Sequence, residues 1–221
     1  MIDIPSFMTD EGSKRTSDYG PRTYDLFLAP MEIAWFGRWR RRMLSTLKGE
    51  VLDIGTGTGT NLKYYPEDVR CVTVVDPDDD NISYLERRSR GWGFGDDGKC
   101  LRTHMGVGEE LPFPDETFDA VVSTLILCTV EDPERVVSEG TRVLKRGGRF
   151  IFIEHQLPRW KPQAIVFNII SPVWHAPSGC NLNRNTEEMI RSRTELVELE
   201  THRTGPILGY PFFIGDFRKR A

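Results

Sequence analysis

The run Val51-Leu52-Asp53-Ile54-Gly55-Thr56-Gly57-Thr58-Gly59-Thr60-Asn61 constrains the fold of this chain more than any other stretch. It reads as a buried strand that breaks into a glycine loop, with a helix beginning behind the loop at about 58–65. Glycine suits a backbone that must turn sharply and approach a ligand closely, where a Cβ would be in the way. Loops of this kind also serve dinucleotides, so the glycines alone do not fix the ligand. Asp53 narrows the choice. It stands two residues before the first glycine, at the strand tip. A pyrophosphate would be repelled there, whereas a cationic amino-acid group would be tolerated.

Cys71-Val72-Thr73-Val74-Val75-Asp76 is a second apolar strand ending in an acid, about twenty residues beyond the loop. A carboxylate in that position accepts hydrogen bonds from both hydroxyls of a ribose. A nucleoside with a cationic amino-acid tail is S-adenosylmethionine (SAM), and the two segments together favour it over NAD. Gly55, Thr56, Gly57, Gly59 and Asn61 then belong to the cradle, and Asp76 and Pro77 to the ribose side.

Downstream, strand and helix patterns alternate. Strands are expected at about 50–55, 70–75 and 100–105, over the near-continuous apolar run Phe118–Leu125, and over Arg149–Glu154. Such runs are what parallel strands covered on both faces require. Asn81–Arg90 reads as a helix. A second helix is capped by Asp132, starts at Pro133 and closes at Lys145-Arg146-Gly147-Gly148. Pro162–Cys180 reads as an insertion and Asn185–Arg193 as a short helix. The last strands, about 195–203 and 208–217, are joined by only a short Gly205-Pro206 connection and must pair antiparallel at the sheet edge. The expected fold is α/β: one Rossmann-like domain over residues 1–221, its seven-stranded, mostly parallel sheet carrying helices on both faces and a C-terminal antiparallel hairpin. Within it, 1–47 form an N-terminal arm and cap helices, 48–160 the cofactor-binding core, 161–194 a substrate-side insertion and 195–221 the hairpin.

Composition excludes little beyond this. Lys and Arg number 29 against 33 Asp and Glu, a formal charge of -4 that gives no overall pull towards nucleic acid. Cys71, Cys100, Cys128 and Cys180 are scattered without a C-x-x-C pair. They read as reduced thiols of a cytoplasmic protein, with no disulfide framework, no structural zinc and no metal site. Met1–Asp18 lacks the apolar core of a signal peptide, and no apolar run approaches the roughly 20 residues that cross a bilayer. One cluster, Trp35-Phe36-Gly37-Arg38-Trp39-Arg40-Arg41-Arg42, is both basic and aromatic. It suits an anionic membrane surface or a nucleic acid, or else an amphipathic helix whose arginines are solvated while its tryptophans pack inward. The last is preferred.

With these residues in place, the chain resembles the class I SAM-dependent methyltransferases over almost its whole length. The segments that carry the resemblance are VLDIGTGTGTN, VVDPD, GEELPFPDETFDAVVS and VLKRGGRFIFIEH. It implies adenine contacts from Val107, Gly108 and Glu109, in a stretch where members of the group often carry an acid after a glycine. It also implies that Tyr19 and Tyr24 close over the cofactor and that Thr124 and Leu125 border it. A narrower resemblance lies further on. Thr124–Val130, Glu154-His155, Trp174-His175 and Gly179-Cys180-Asn181-Leu182, followed by Arg184 and Thr186, are similar to the methyltransferase-like alkyl-thiol methyltransferases. This implies a thiol acceptor, held by Cys128, Trp174, Cys180, Asn181 and Arg184.

His155 and His175 are the candidate catalytic bases. His155 ends the fifth strand, on the edge where open α/β sheets bind ligands, and His175 lies in the insertion. Each candidate has an ordinary counterpart: a histidine bonded to a carbonyl, Cys128 as lining rather than nucleophile, Trp174 as wall, Asn181 and Arg184 as struts. A thiol with a pKa of about 8.5 is already partly ionised near neutrality, so it needs only modest help from a base. The favoured reading is methyl transfer from SAM to a small-molecule acceptor, a thiol. The alternatives are quinone or phospholipid methylation at a membrane surface through the Trp35–Arg42 segment, and a SAM-binding regulator without turnover.

Overall fold

The computed structural model describes residues 20–95, 98–207 and 210–221. Apolar runs become the sheet. Five parallel strands, β1 (Gly49–Ile54), β2 (Val69–Asp76), β3 (Cys100–Met105), β4 (Phe118–Thr124) and β5 (Leu144–His155), are followed by the antiparallel hairpin of β6 (Leu196–Ile207) and β7 (Tyr210–Lys219). The order is β3-β2-β1-β4-β5-β7-β6, so the hairpin extends the sheet beyond β5 and β6 forms the edge. The chain reverses direction across the sheet between β1 and β4, which opens a crevice at their carboxyl ends.

Helices cover both faces. Around α1 (Pro21–Met31) and α2 (Gly37–Leu44), the chain passes through a π-helical turn at Glu32–Phe36. With α3 (Asp79–Ser89), α2 covers one face, where Phe36, Met43, Leu44, Ile82 and Leu85 pack on Val51, Val72 and Val122. The other face is covered by α4 (Pro133–Val143); α5 (Lys161–Ser178) and α6 (Thr186–Arg191) complete the fold. On that second face Val136, Val137, Val143 and Ile190 close over Leu52, Val121, Phe150 and Phe152. Among the described residues, no helix is long and apolar enough to cross a membrane.

Several local expectations are corrected. No helix spans 58–65; the chain behind the glycine loop is a series of turns ending in one 3-10 turn, Leu62–Tyr64. Its threonines and asparagine bond side chains instead of extending a helical ladder. Helix α4, capped by Asp132 as its side chain accepts from Arg135 N, stops at Val143, and Lys145–Gly148 already lie in β5. The insertion is helix α5. Cys71 and Cys100 are not reduced thiols: they face each other at the start of β2 and β3 and are joined by a disulfide. Their partnership depends on the register of two parallel strands, which a separation of 29 residues does not advertise. The argument for a cytoplasmic setting loses its ground with them.

Candidate functional site

A cavity of about 270 Å³ lies between the glycine loop and the helices that precede β1. Gly55, Thr56, Gly57, Thr58 and Thr60 form its floor, Thr124 and Leu125 its β4 side, and Leu28, Ile33 and Phe36 its roof. The loop has to be glycine at Gly55, Gly57 and Gly59, all of which have positive φ. Gly55 has φ +61, and a Cβ there would stand 2.1 Å from Ile126 Cδ1. Gly57 has φ +56 with nothing within 4 Å of its Cβ position, so the constraint there is the backbone itself.

Neither strand-tip acid lines the cavity, and each acts through the chain beside it. Asp76 is buried and accepts from Gly57 N at 2.8 Å, Asp78 N at 3.0 Å and Asn81 Nδ2 at 3.1 Å. Burial raises its pKa above the usual carboxylate range, against those hydrogen bonds. A carboxylate has about four lone-pair sites, so one stays open for a ribose hydroxyl. Asp53 is fully buried and does not line the cavity. It accepts from Asn61 Nδ2 at 3.0 Å and Tyr65 Oη at 2.9 Å, and burial pushes its pKa up to about 6. Asn61 also donates to Thr124 Oγ1 at 3.0 Å, tying the loop to the tip of β4. Asp53 therefore shapes the loop from behind.

Charged residues without a framing motif complete the cavity. Asp25 on α1 accepts from Thr58 Oγ1 at 2.6 Å and pairs with Arg88. Glu32 accepts from Arg40 Nε at 3.2 Å and Tyr64 Oη at 2.9 Å, with Lys63 Nζ at 3.5 Å. Arg40 is 6% exposed and also donates to Asn61 Oδ1 and to Thr124 Oγ1 at 3.1 Å. The expectation of solvated arginines in the Trp35–Arg42 segment is corrected at Arg40 alone, since Arg38, Arg41 and Arg42 are exposed. The signal was there: Phe36, Arg40, Met43, Leu44 and Leu47 share one helical stripe, and an arginine amid apolar positions needs buried partners. Walls with Asp25 and Glu32 beside Arg40, Lys63 and Arg88 fit a zwitterionic amino-acid group, and the bare backbone at Gly55 and Gly57 allows its close approach.

Beyond the cavity, β4 leads into a tight turn in which Leu125 has φ +60. Glu154, fully buried near the end of β5, holds that turn by accepting from Ser123 Oγ at 2.7 Å, Ile126 N at 3.3 Å and Leu127 N at 3.1 Å. Burial pushes its pKa up to about 7 against those bonds. The turn delivers Cys128, whose Sγ lies 3.7 Å from Leu125 O. Here Cys128, His155 and Cys180 meet, with their ligand atoms all within 4.8 Å of one another. His155 Nδ1 is 3.3 Å from Cys180 Sγ, and its ring stacks on Phe212. The hydrogen bond between the two sulfurs lowers the pKa of Cys180, with His155 adding to the effect, and raises that of Cys128, with burial adding to it. Asn181 bonds Cys128 O through N at 2.7 Å and Nδ2 at 3.1 Å, and Arg184 bonds Leu127 O at 2.6 Å. Both hold the turn from outside.

The remaining candidates are dispersed. His175 and Trp174 lie on exposed parts of α5. Val107 is exposed, and Gly108 packs beneath it against Ile54 and Val136. Glu109 turns to the start of α4 and accepts from Glu131 N at 3.0 Å. Pro77 follows Asp76 at the β2 end. Tyr19 lies outside the described residues, as does the side chain of Tyr24.

Comparison with known proteins bears on this arrangement. A methyltransferase-domain family model matches residues 52–152. The thiol S-methyltransferase TMT1B of Homo sapiens is 30% identical over 180 residues, covering 76% of this chain and 72% of that protein. Its Rattus norvegicus counterpart is 33% identical over 154 residues, covering 68% of this chain; the chain spans only 62% of the rat protein's length. A phosphatidylethanolamine N-methyltransferase of Cereibacter sphaeroides is 38% identical over 107 residues, covering 48% of this chain and 51% of that protein. A geranyl diphosphate methyltransferase solved in complex with SAM superposes with a TM-score of 0.68 at 17% identity, covering 90% of each chain, and shares the fold. Sheet order, glycine loop, strand-tip acids and relatives agree: the chain belongs to the class I SAM-dependent methyltransferases.

Proposed function

We propose that this protein transfers the methyl group of SAM to a small thiol. The observation that carries the reading is the meeting of Cys128, His155 and Cys180 just beyond the donor cavity. Leu125 and Phe36 border that cavity; Leu125 O faces Cys128 Sγ, while Phe212 touches Phe36 and stacks on His155. Donor and acceptor regions thus share one thin wall. The similarity to thiol S-methyltransferases supports the same acceptor class.

Bound SAM supplies an electrophilic methyl on a sulfonium. In this reading Asp76 holds the ribose, Val107 and Gly108 border the adenine, and Asp25, Glu32 and Arg40 receive the amino-acid end. The chain's work is to align the two sulfurs and exclude water, the contribution that positioning makes to a displacement. Apolar and sulfur-bearing walls suit an acceptor that sheds hydration readily as a thiolate. Labelled SAM offered with alkyl thiols, hydrogen sulfide, a quinone and a phospholipid tests this. Thiols should be methylated, faster as pH rises through their ionisation, and His155→Ala should lower turnover with SAM affinity nearly intact. Turnover on an oxygen, nitrogen or carbon acceptor, with every thiol inert, would sink the reading.

A second reading, methylation of a lipid or quinone at a membrane surface, is favoured by one face of α5. Ile165, Ile169 and Val173 follow one another at helical spacing and are 59%, 70% and 77% exposed. Arg159, Trp160 and Lys161 are exposed at its start, the arrangement of an interfacial helix on an anionic bilayer. The Trp35–Arg42 segment, by contrast, spends Arg40 internally and pairs Arg42 with Glu200. Sedimentation with anionic vesicles, abolished by Ile169→Glu with Val173→Glu and untouched by Arg42→Glu, would favour this reading; no sedimentation of the wild type would dismiss it.

A further inference from the structure

We propose that Cys128, His155 and Cys180 are a three-ligand zinc site whose fourth position receives the acceptor thiol. Two thiols and an imidazole are the donor set that zinc prefers, and three protein ligands with one open position mark a reactive rather than a structural site. The geometry is close. Tetrahedral zinc, with Zn–S of about 2.3 Å and Zn–N of about 2.0 Å, needs donor atoms roughly 3.5–3.8 Å apart. Here all three lie within 4.8 Å, and His155 Nδ1 is 3.3 Å from Cys180 Sγ. Among the described residues no other group of this kind occurs.

Each ligand is fixed by a different element. The Cys128 carbonyl is held twice by Asn181. Thr186 Oγ1 donates to His155 O at 2.7 Å, while Phe212 sets the plane of the ring. Cys180 follows Gly179, which ends α5 in the left-handed conformation with its N bonded to His175 O at 2.7 Å. Positions 128, 155 and 180 thus converge from a turn, a strand end and a helix end. No local spacing betrays them, which is why the sequence reading expected no metal.

Charge favours the ion as well. A divalent cation would balance the charge of both sulfurs once each has given up its proton to bind it. When an acceptor thiol coordinates, its proton leaves to solvent and the site carries one net negative charge facing the sulfonium. The coordinated sulfur then attacks the methyl carbon. A carbon–sulfur bond forms to the acceptor as the one to the sulfonium breaks, giving a neutral thioether and S-adenosylhomocysteine. The role of the fourth position rests on the thiol reading above; the metal site itself does not.

Cobalt titration of the full chain, reduced and stripped with chelator under nitrogen, tests the site. One cobalt per chain should bind, with thiolate-to-cobalt charge-transfer absorption and the ligand-field bands of a tetrahedral centre. Cys128→Ser with Cys180→Ser should lose the charge-transfer absorption while far-ultraviolet dichroism and SAM affinity stay as in the wild type. Cys71→Ser with Cys100→Ser should keep it. Adding an alkyl thiol should shift the ligand-field bands. Absence of the absorption in the wild type, or its survival in the Cys128/Cys180 variant, overturns the site. A spectrum indifferent to thiols that are nevertheless methylated overturns the fourth-position role. A cobalt spectrum with no thiol methylated leaves the metal site supported and refutes the thiol reading instead.

Discussion

Around the glycine loop, Asp25, Glu32, Asp53 and Asp76 each have at least two donors turned towards them, whereas beyond β4 and β5 the site is built from two thiols, an imidazole and bonded backbone carbonyls. The first region is a closed polar network in which each partner fixes the next. The second spends its polar contacts on backbone that holds the turn, and its reactive atoms are polarisable and weakly hydrated. A charged, conformationally demanding donor needs the first kind of surface, since a misplaced carboxylate in a buried loop is costly. A small apolar acceptor needs the second. The contrast teaches that binding the donor is a property of a network, while choosing the acceptor rests on a handful of soft atoms.

Removing Arg40 should produce the largest effect. Arg40→Met takes a donor from half-buried Glu32 and leaves buried Asn61 Oδ1 and Thr124 Oγ1 short of one, and should cost about 3 kcal/mol in denaturant unfolding. A loss below about 1 kcal/mol would mean that the donor network is not cooperative. Next comes Asp53. Its folded-state pKa of about 6 lies above the 3.8 of an unperturbed aspartate, so the folded state holds the extra proton between those values. Stability should therefore fall as pH rises from about 4 to 7, by on the order of 3 kcal/mol from this group. Asp53→Asn should remove that part of the slope in thermal melts; parallel pH profiles for both proteins would contradict it.

Asp76→Ala should weaken SAM binding by about 1.5–3 kcal/mol by calorimetry, the loss of a charge-assisted bond to a ribose hydroxyl. Unchanged affinity would remove Asp76 from the ribose. The smallest effect belongs to Arg42→Ala. Its pair with Glu200 is exposed on both sides, and unfolding should change by about 0–1 kcal/mol. A larger loss would mean that the α2–β6 contact holds the lid.

The sheet is legible in the sequence because parallel strands covered on both faces leave long apolar runs, as over Phe118–Val122 and Phe150–Ile153. Helix α5 is not, since Pro162, Pro172 and a run of β-branched residues mask a helical period on a segment with little of its surface buried. Strand-tip acids stand out because a motif frames them. Asp25 and Glu32 do not, because their meaning depends on how the lid folds back. Cys128, His155 and Cys180 were each visible singly, but their grouping depends on tertiary structure alone.

The π-helical turn at Glu32–Phe36 accommodates one residue more than an α-helical path would use. Glu32, at its first position, reaches Arg40, while Asp25 upstream reaches the glycine loop. Each α-helical residue rotates the chain by about 100° and advances it by 1.5 Å. Inserted into an unbroken α-helix, one residue would turn α1 by roughly a quarter of a revolution relative to α2 and swing Asp25 away from Thr58; the π-helical turn absorbs it and keeps both faces in phase. The turn is in this sense a register buffer, holding Asp25 over the glycine loop and Glu32 against Arg40 from one continuous helical segment.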